Sequence, residues 1–134
     1  MLDYNDFDVG WIVGYIESSG SFTTNIIKIS RKTEQKTKYY TYRNPAFFLV
    51  NKDREVIEKI KNFLEMGKIN RHGEYYHLDI RRKTDVIKLA SFLNGRIQTP
   101  QKAEKFEKWM KKVREWRLRE WGAGADAPKI MSER

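Results

Sequence analysis

Cysteine is absent from this 134-residue chain, which excludes a disulfide framework and any thiolate metal centre. Histidine is nearly as scarce. The pair His72 and His77 is too small for a histidine-built zinc centre unless carboxylates join it, and its spacing fits no common zinc pattern. No apolar run approaches the roughly 20 residues that span a bilayer. The opening Met1-Leu2-Asp3-Tyr4 is acidic where a secretory signal would be basic. The expectation is a soluble, intracellular protein of the cytoplasm or an organelle matrix, with no membrane partner.

What the chain has in surplus is positive charge. Lys and Arg number 27 against 18 Asp and Glu, a net +9 with a pI near 9.7. Such an excess points to a polyanionic partner, because neutralising phosphates releases condensed counterions. Apolar residues make up 40%, enough for one packed core and too much for a disordered chain.

The pattern along the chain alternates between helical and extended periods. Val9, Ile12, Val13 and Ile16 recur at helical spacing over Phe7 to Ser19, with Asp6 as the expected cap. Gly10 and Gly14 lie four apart on one face of that helix, where missing side chains admit a close neighbour. Each costs about 1 kcal/mol of helix propensity, which close approach of a second helix would offset. Ser21 to Arg31 and Tyr39 to Val50 are rich in β-branched and aromatic residues, and Lys32 to Lys38 separates them as a long loop. Pro45 inside the second strand suggests an edge or a bulge.

Asp53 to Glu65 reads as an amphipathic helix ended by Gly67, with Val56, Ile57, Ile60, Phe63 and Leu64 on its stripe. A second hairpin turns at His72-Gly73. Thr84 is the expected cap of a helix that Asn94-Gly95 stops, and Pro100 opens a last helix with Phe106, Trp109, Met110, Val113 and Trp116 inward. Lys111 and Lys112 then read as its solvated face, and Trp121 as a capping aromatic. The order is αββαββα with an extra C-terminal helix. That is an α+β domain over residues 1–121 around a four-stranded antiparallel sheet, followed by a loose tail over residues 122–134.

Trp11 to Phe22, WIVGYIESSGSF, resembles the LAGLIDADG motif, with Ile12 to Gly20 in its nine positions and Ser21-Phe22 after it. Pro45 to Asp53, Phe63 to Ile69 and Gln101 to Phe106 resemble later segments of LAGLIDADG homing endonucleases, in the same order. The resemblance spans roughly residues 4–115. It implies a saddle-shaped antiparallel sheet seated in the major groove of double-stranded DNA. It also implies motif helices packed through small residues, here Gly10 and Gly14, with Val13 and Glu17 on the same contact face. One motif per chain implies a homodimer. It further implies an intron-encoded nuclease, with Mg2+ held by the acid ending each motif helix and by the next backbone carbonyl, which is Gly20 here.

Two residues depart from that pattern. Ser19 stands where the metal-binding acid is expected, and a neutral hydroxyl is a poor ligand for a hard dication. Glu17 cannot replace it, because two helical residues rotate a side chain by about 200°. Phe48 stands on the outer face of the second strand, where a polar water-positioning residue is often found. The basic residue near the last helix is present as Lys102 or Lys105.

Three readings follow: a DNA-binding protein that cleaves weakly or not at all, descended from a nuclease or inactivated by an introduced change at Ser19; an active Mg2+-dependent endonuclease; and a maturase-like RNA-binding splicing helper. The first needs no cofactor. The fold disfavours RNA, whose deep, narrow major groove a hairpin cannot enter. Groove-facing candidates are Asn25, Lys32, Gln35, Tyr40, Tyr42, Asn44, His72, Tyr75 and His77, with Arg71 and Arg81 on phosphates.

Overall fold

The computed structural model of the chain describes residues 5–118 and 130–133. Helix α1 spans Asp6–Ser19, and its cap is Asn5 rather than Asp6. The Asn5 side chain accepts from the Asp8 amide at 2.8 Å, meeting one of the unpaired donors of the first turn. Ile12, Val13 and Ile16 bury one side of α1. At its end the chain must turn hard into the sheet, and only glycine fits. A Cβ on Gly20 would lie 2.6 Å from the Phe47 ring and 2.7 Å from the Ile16 carbonyl oxygen.

Strands β1 (Ser21–Lys32) and β2 (Thr37–Asn51) form one long antiparallel hairpin, in register from Ser21↔Phe48 to Lys32↔Thr37. The expected long loop is therefore shorter than its composition suggests. Thr33 closes it locally: its amide and its hydroxyl both donate to the Lys36 carbonyl, at 2.8 and 2.7 Å. The polar residues around it stay in the ladder, since an exposed hairpin needs no apolar face to pair its backbone.

Helix α2 (Arg54–Leu64) is capped by Asp53, whose side chain accepts from the Glu55 amide. It ends at Glu65, in the left-handed region at φ 55°, two residues before the expected Gly67. Then come β3 (Lys68–His72), β4 (Tyr75–Ile80), α3 (Lys83–Leu93) and α4 (Pro100–Leu118). Thr84 is not the cap of α3. The helix starts two residues earlier, behind Arg82, whose carbonyl accepts from the Val86 amide.

The sheet order is β1-β2-β4-β3, all antiparallel. β4 pairs with β2 only over Phe47–Asn51, so Pro45, which has no N–H to give, lies where that side of β2 is free of β4. Farther out, Ile130–Glu133 pair with Lys38–Tyr40 as β5. Those four residues belong to the segment expected to be loose. A free strand edge offers backbone partners to a segment too short to show periodicity. Residues 119–129 and 134 lie outside the described residues, Trp121 among them.

The helices bury one sheet face. Ile12 and Ile16 of α1, Ile57 and Ile60 of α2, Leu89 and Leu93 of α3, and Phe106 and Trp109 of α4 meet Phe47, Leu49, Leu78 and Ile80 in one cluster. Burying each such side chain contributes about 1.5–3 kcal/mol. Met110 and Trp116 pack at its margin rather than inside. Trp109 also fastens α4 to the hairpin, its indole N–H donating to the Ala46 carbonyl at 2.9 Å and the Thr23 carbonyl at 3.2 Å. Among the described residues no helix is long and apolar enough to cross a membrane.

Candidate nucleic-acid interface

Antiparallel register decides which side chains share a face. Phe47, Leu49, Leu78 and Ile80 turn toward the helices and are fully buried, so their sequence neighbours turn away. On that outer face Asn25, Ile27, Ile29 and Arg31 of β1 lie opposite Asn44, Tyr42, Tyr40 and Lys38 of β2. The Arg31 guanidinium sits 5.7 Å from the Tyr40 ring. Asn70 and His72 of β3 lie opposite His77 and Tyr75 of β4, and the two imidazole rings meet edge to face at 4.4 Å. The side-chain oxygen of Asn44 is buried with no hydrogen-bond partner among the described residues.

Phe48 shares this face with its cross-strand partner Asp79. Asp79 accepts from the Asn70 amide at 2.7 Å and lies 3.7 Å from the Arg81 guanidinium, which in turn covers the Phe48 ring at 5.2 Å. Ala46 has the same parity but is fully buried, a methyl group between the larger Asn44 and Phe48.

At the C-terminal end of α1, Ser19 is exposed and its hydroxyl lies 3.3 Å from that of Ser18. The next carbonyl, Gly20, accepts a hydrogen bond from the Lys102 ammonium at 2.8 Å. α4 thus delivers a cation to the very end of α1. Glu17 ties the entry of α4 to α1. Its carboxylate accepts from the amides of Gln98 (3.0 Å) and Thr99 (2.6 Å) and from the Thr99 hydroxyl, at the helix end that favours negative charge.

Burial raises the Glu17 pKa, but the hydrogen bonds from Thr99 and Gln98 outweigh it and hold the carboxyl below its ordinary value. A depressed folded pKa means that the stabilisation is present above the unfolded value and lost as pH falls through the folded one. Glu17→Ala is expected to lower unfolding free energy by about 1 kcal/mol at neutral pH, since the site is solvated. Urea unfolding at stepped pH should show the gap to the parent closing in acid. A gap that persisted unchanged there would mean the clamp does not depend on ionised Glu17.

Gly10 and Gly14 are exposed, and a Cβ built on either meets no atom within 4 Å. They floor a shallow groove between Val9 and Val13 and the Gly95–Gln98 segment. Val13 itself is 6% exposed and already belongs to the core.

The sequence profile of LAGLIDADG endonucleases matches residues 12–113. The chain belongs to that family. Among curated proteins, none matches it in sequence. Among solved structures, it is similar to the archaeal intron-encoded homing endonuclease I-Vdi141I, complexed with DNA: 25% identity, 84% of this chain, 70% of that one, TM-score 0.66. It is similar also to the homing endonuclease I-TnaI, with 20% identity over 87% of this chain and 76% of that one at TM-score 0.67. I-SmaMI, bound to uncleaveable DNA, matches 85% of this chain with 39% of its own, at 19% identity and TM-score 0.70.

Within this LAGLIDADG fold, the register puts Asn25, Tyr40, Tyr42, Asn44, His72, Tyr75 and His77 on one face, and Arg81, just past the end of β4, joins them over the Phe48 ring. Gln35 lies in the 33–36 turn at the hairpin tip, beyond the ladder. Two candidates fall elsewhere. Lys32 ends β1 on the opposite parity, paired with Thr37. Arg71 pairs with Tyr76, lies 5.7 Å over its ring and donates to the Gly73 carbonyl. Glu17, expected on the α1 contact face, serves the chain's own α4 instead. Sequence reasoning missed Asp79 and Asn70, although strand alternation from Leu78 and Ile69 would have placed both on the outer face.

Proposed function

We propose that the chain is a sequence-specific, double-stranded-DNA-binding protein that works as a homodimer and cleaves DNA weakly or not at all. The observation that carries this reading is the chemistry at the end of α1. The ligands there are the neutral Ser19 hydroxyl and a Gly20 carbonyl already bonded to the Lys102 ammonium. Members of the family generally use a divalent metal, and a hydroxyl beside an ammonium ion does not fit a hard dication.

The reading face supports retained binding. It carries amide, phenol and imidazole groups interspersed with Ile27, Ile29 and Phe48, and such polar groups can meet base edges in a major groove. The Asn44 oxygen, buried and unpartnered in the free chain, would gain a donor from a base amino group once its side chain turns outward on binding. Leaving such an atom unsatisfied costs about 1–3 kcal/mol. Tyr42→Ala and Asn44→Ala are each expected to weaken binding to a duplex selected from a randomised pool by about 1–3 kcal/mol, with little change for mixed-sequence DNA. Equal losses on both duplexes would place base reading elsewhere. Selection that enriched structured RNA over duplex DNA would favour a splicing helper instead.

A further inference from the structure

Beside the free edge of β1 lies a cleft of about 560 Å3 that runs outward from Gly20 and Lys102. Its other wall is α4, which lines it with Lys102, Lys105, Lys108 and Lys112. Spacings of three, three and four residues keep these lysines within about a third of the helix circumference and spread them over roughly 15 Å. The strand wall contributes Thr23 and Thr24, whose hydroxyls can donate to anions. Among the described residues no carboxylate lines the cleft. Glu104 lies outside it and meets Lys108 at 3.4 Å, both side chains more than two-thirds exposed, a pairing worth little.

Four ammonium groups so placed repel one another unless an anion lies among them. Their length argues for a polymer. A row of roughly 15 Å is long enough to follow several successive phosphates of one DNA strand. Lys102, at the inner end of the row, already reaches the end of α1. We infer that this cleft is a phosphate track: it holds the backbone of the bound duplex as it leaves the centre of the site, adding affinity without reading sequence. The inference rests on the DNA reading proposed above and adds a second contact surface to it.

The test is salt dependence on a mixed-sequence DNA duplex, which requires no knowledge of the preferred target. Lys105→Gln/Lys108→Gln/Lys112→Gln removes three charges from the cleft and leaves Lys102 in place. Lys111→Gln/Arg114→Gln/Arg117→Gln removes three from the other flank of α4, where all three residues are exposed. Each lost phosphate contact should make the plot of log affinity against log salt shallower by about 0.9. The cleft triple is expected to flatten it by roughly 2–3, and the flank triple by less than about 1. Equal flattening by both triples, or none by the cleft triple, would overturn the track while leaving the DNA reading intact. A parent protein that failed to bind the duplex would overturn both.

Discussion

Ser19→Asp is expected to turn a binding protein into a cutting one. The substitution places an anionic oxygen at the exposed end of α1, where the parent offers a neutral hydroxyl. Metal-assisted charge stabilisation is worth several kcal/mol in phosphodiester hydrolysis, and each 1.36 kcal/mol is tenfold in rate. Recovery of Mg2+-dependent scission by roughly 10²–10⁴-fold is therefore the expected scale.

The new carboxylate would also lie near the Lys102 ammonium, 2.8 Å from the neighbouring Gly20 carbonyl. Phe48, roofed by Arg81 at 5.2 Å, has no hydroxyl or amide of its own to orient a water, so Ser19→Asp/Phe48→Gln should cut faster than either single variant. In metal-free buffer the order reverses. Ser19→Asp should bind duplex DNA more weakly than the parent, because a new negative charge faces the phosphates. Gel assays of plasmid nicking and linearisation decide the matter. Efficient double-strand cleavage by the parent would sink the proposal and mean that an unrecognised group holds the metal.

Gly14→Leu should leave a folded monomer. Glycine costs about 1 kcal/mol in a helix relative to alanine, and the chain's own packing gives no reason for it at position 14, where an added Cβ meets nothing within 4 Å. The leucine should raise the stability of the isolated subunit while forcing two α1 helices apart. Loss of the second subunit forfeits the effective-concentration gain of a two-site binder, so affinity for a symmetric duplex should fall by about 10²–10⁴-fold. Sedimentation velocity reads the association state, and thermal unfolding reads the subunit. An undiminished dimer would show that copies meet through another surface; an unfolded chain would show that the site is internal.

The helices and their faces were legible because each signal is local. Ile12, Val13 and Ile16 repeat at the helical period and are buried. Phe47 and Leu49 alternate with Phe48, and the burial follows that alternation. Gly20 marks the junction of α1 and β1 by sequence, and the Phe47 ring at 2.6 Å explains why. What escaped depends on distance along the chain. The Glu17 bond to Thr99 joins residues 82 apart, and nothing near Glu17 announces it. The spacing of the α4 lysines was visible from the start, but the wall they face was not, since only packing brings β1 beside them. Helix ends were displaced by a residue or two at Asn5, Glu65 and Arg82, where several residues could cap and local competition chose one.

The pairing of β5 with β2 has a consequence for how the chain is made. Tyr40 and its partner Ile130 are 90 positions apart, whereas β1 meets β2 through a turn of a few residues. At roughly 5–20 residues per second of synthesis, the outer edge of the hairpin waits several seconds for its last strand. During that interval an aromatic-rich edge on a nascent chain is open to pairing with its neighbours on the same messenger. Lys38 within that edge and Lys36 just before it put like charges there, and charges on an unpaired strand disfavour its pairing with a second copy until the right partner emerges.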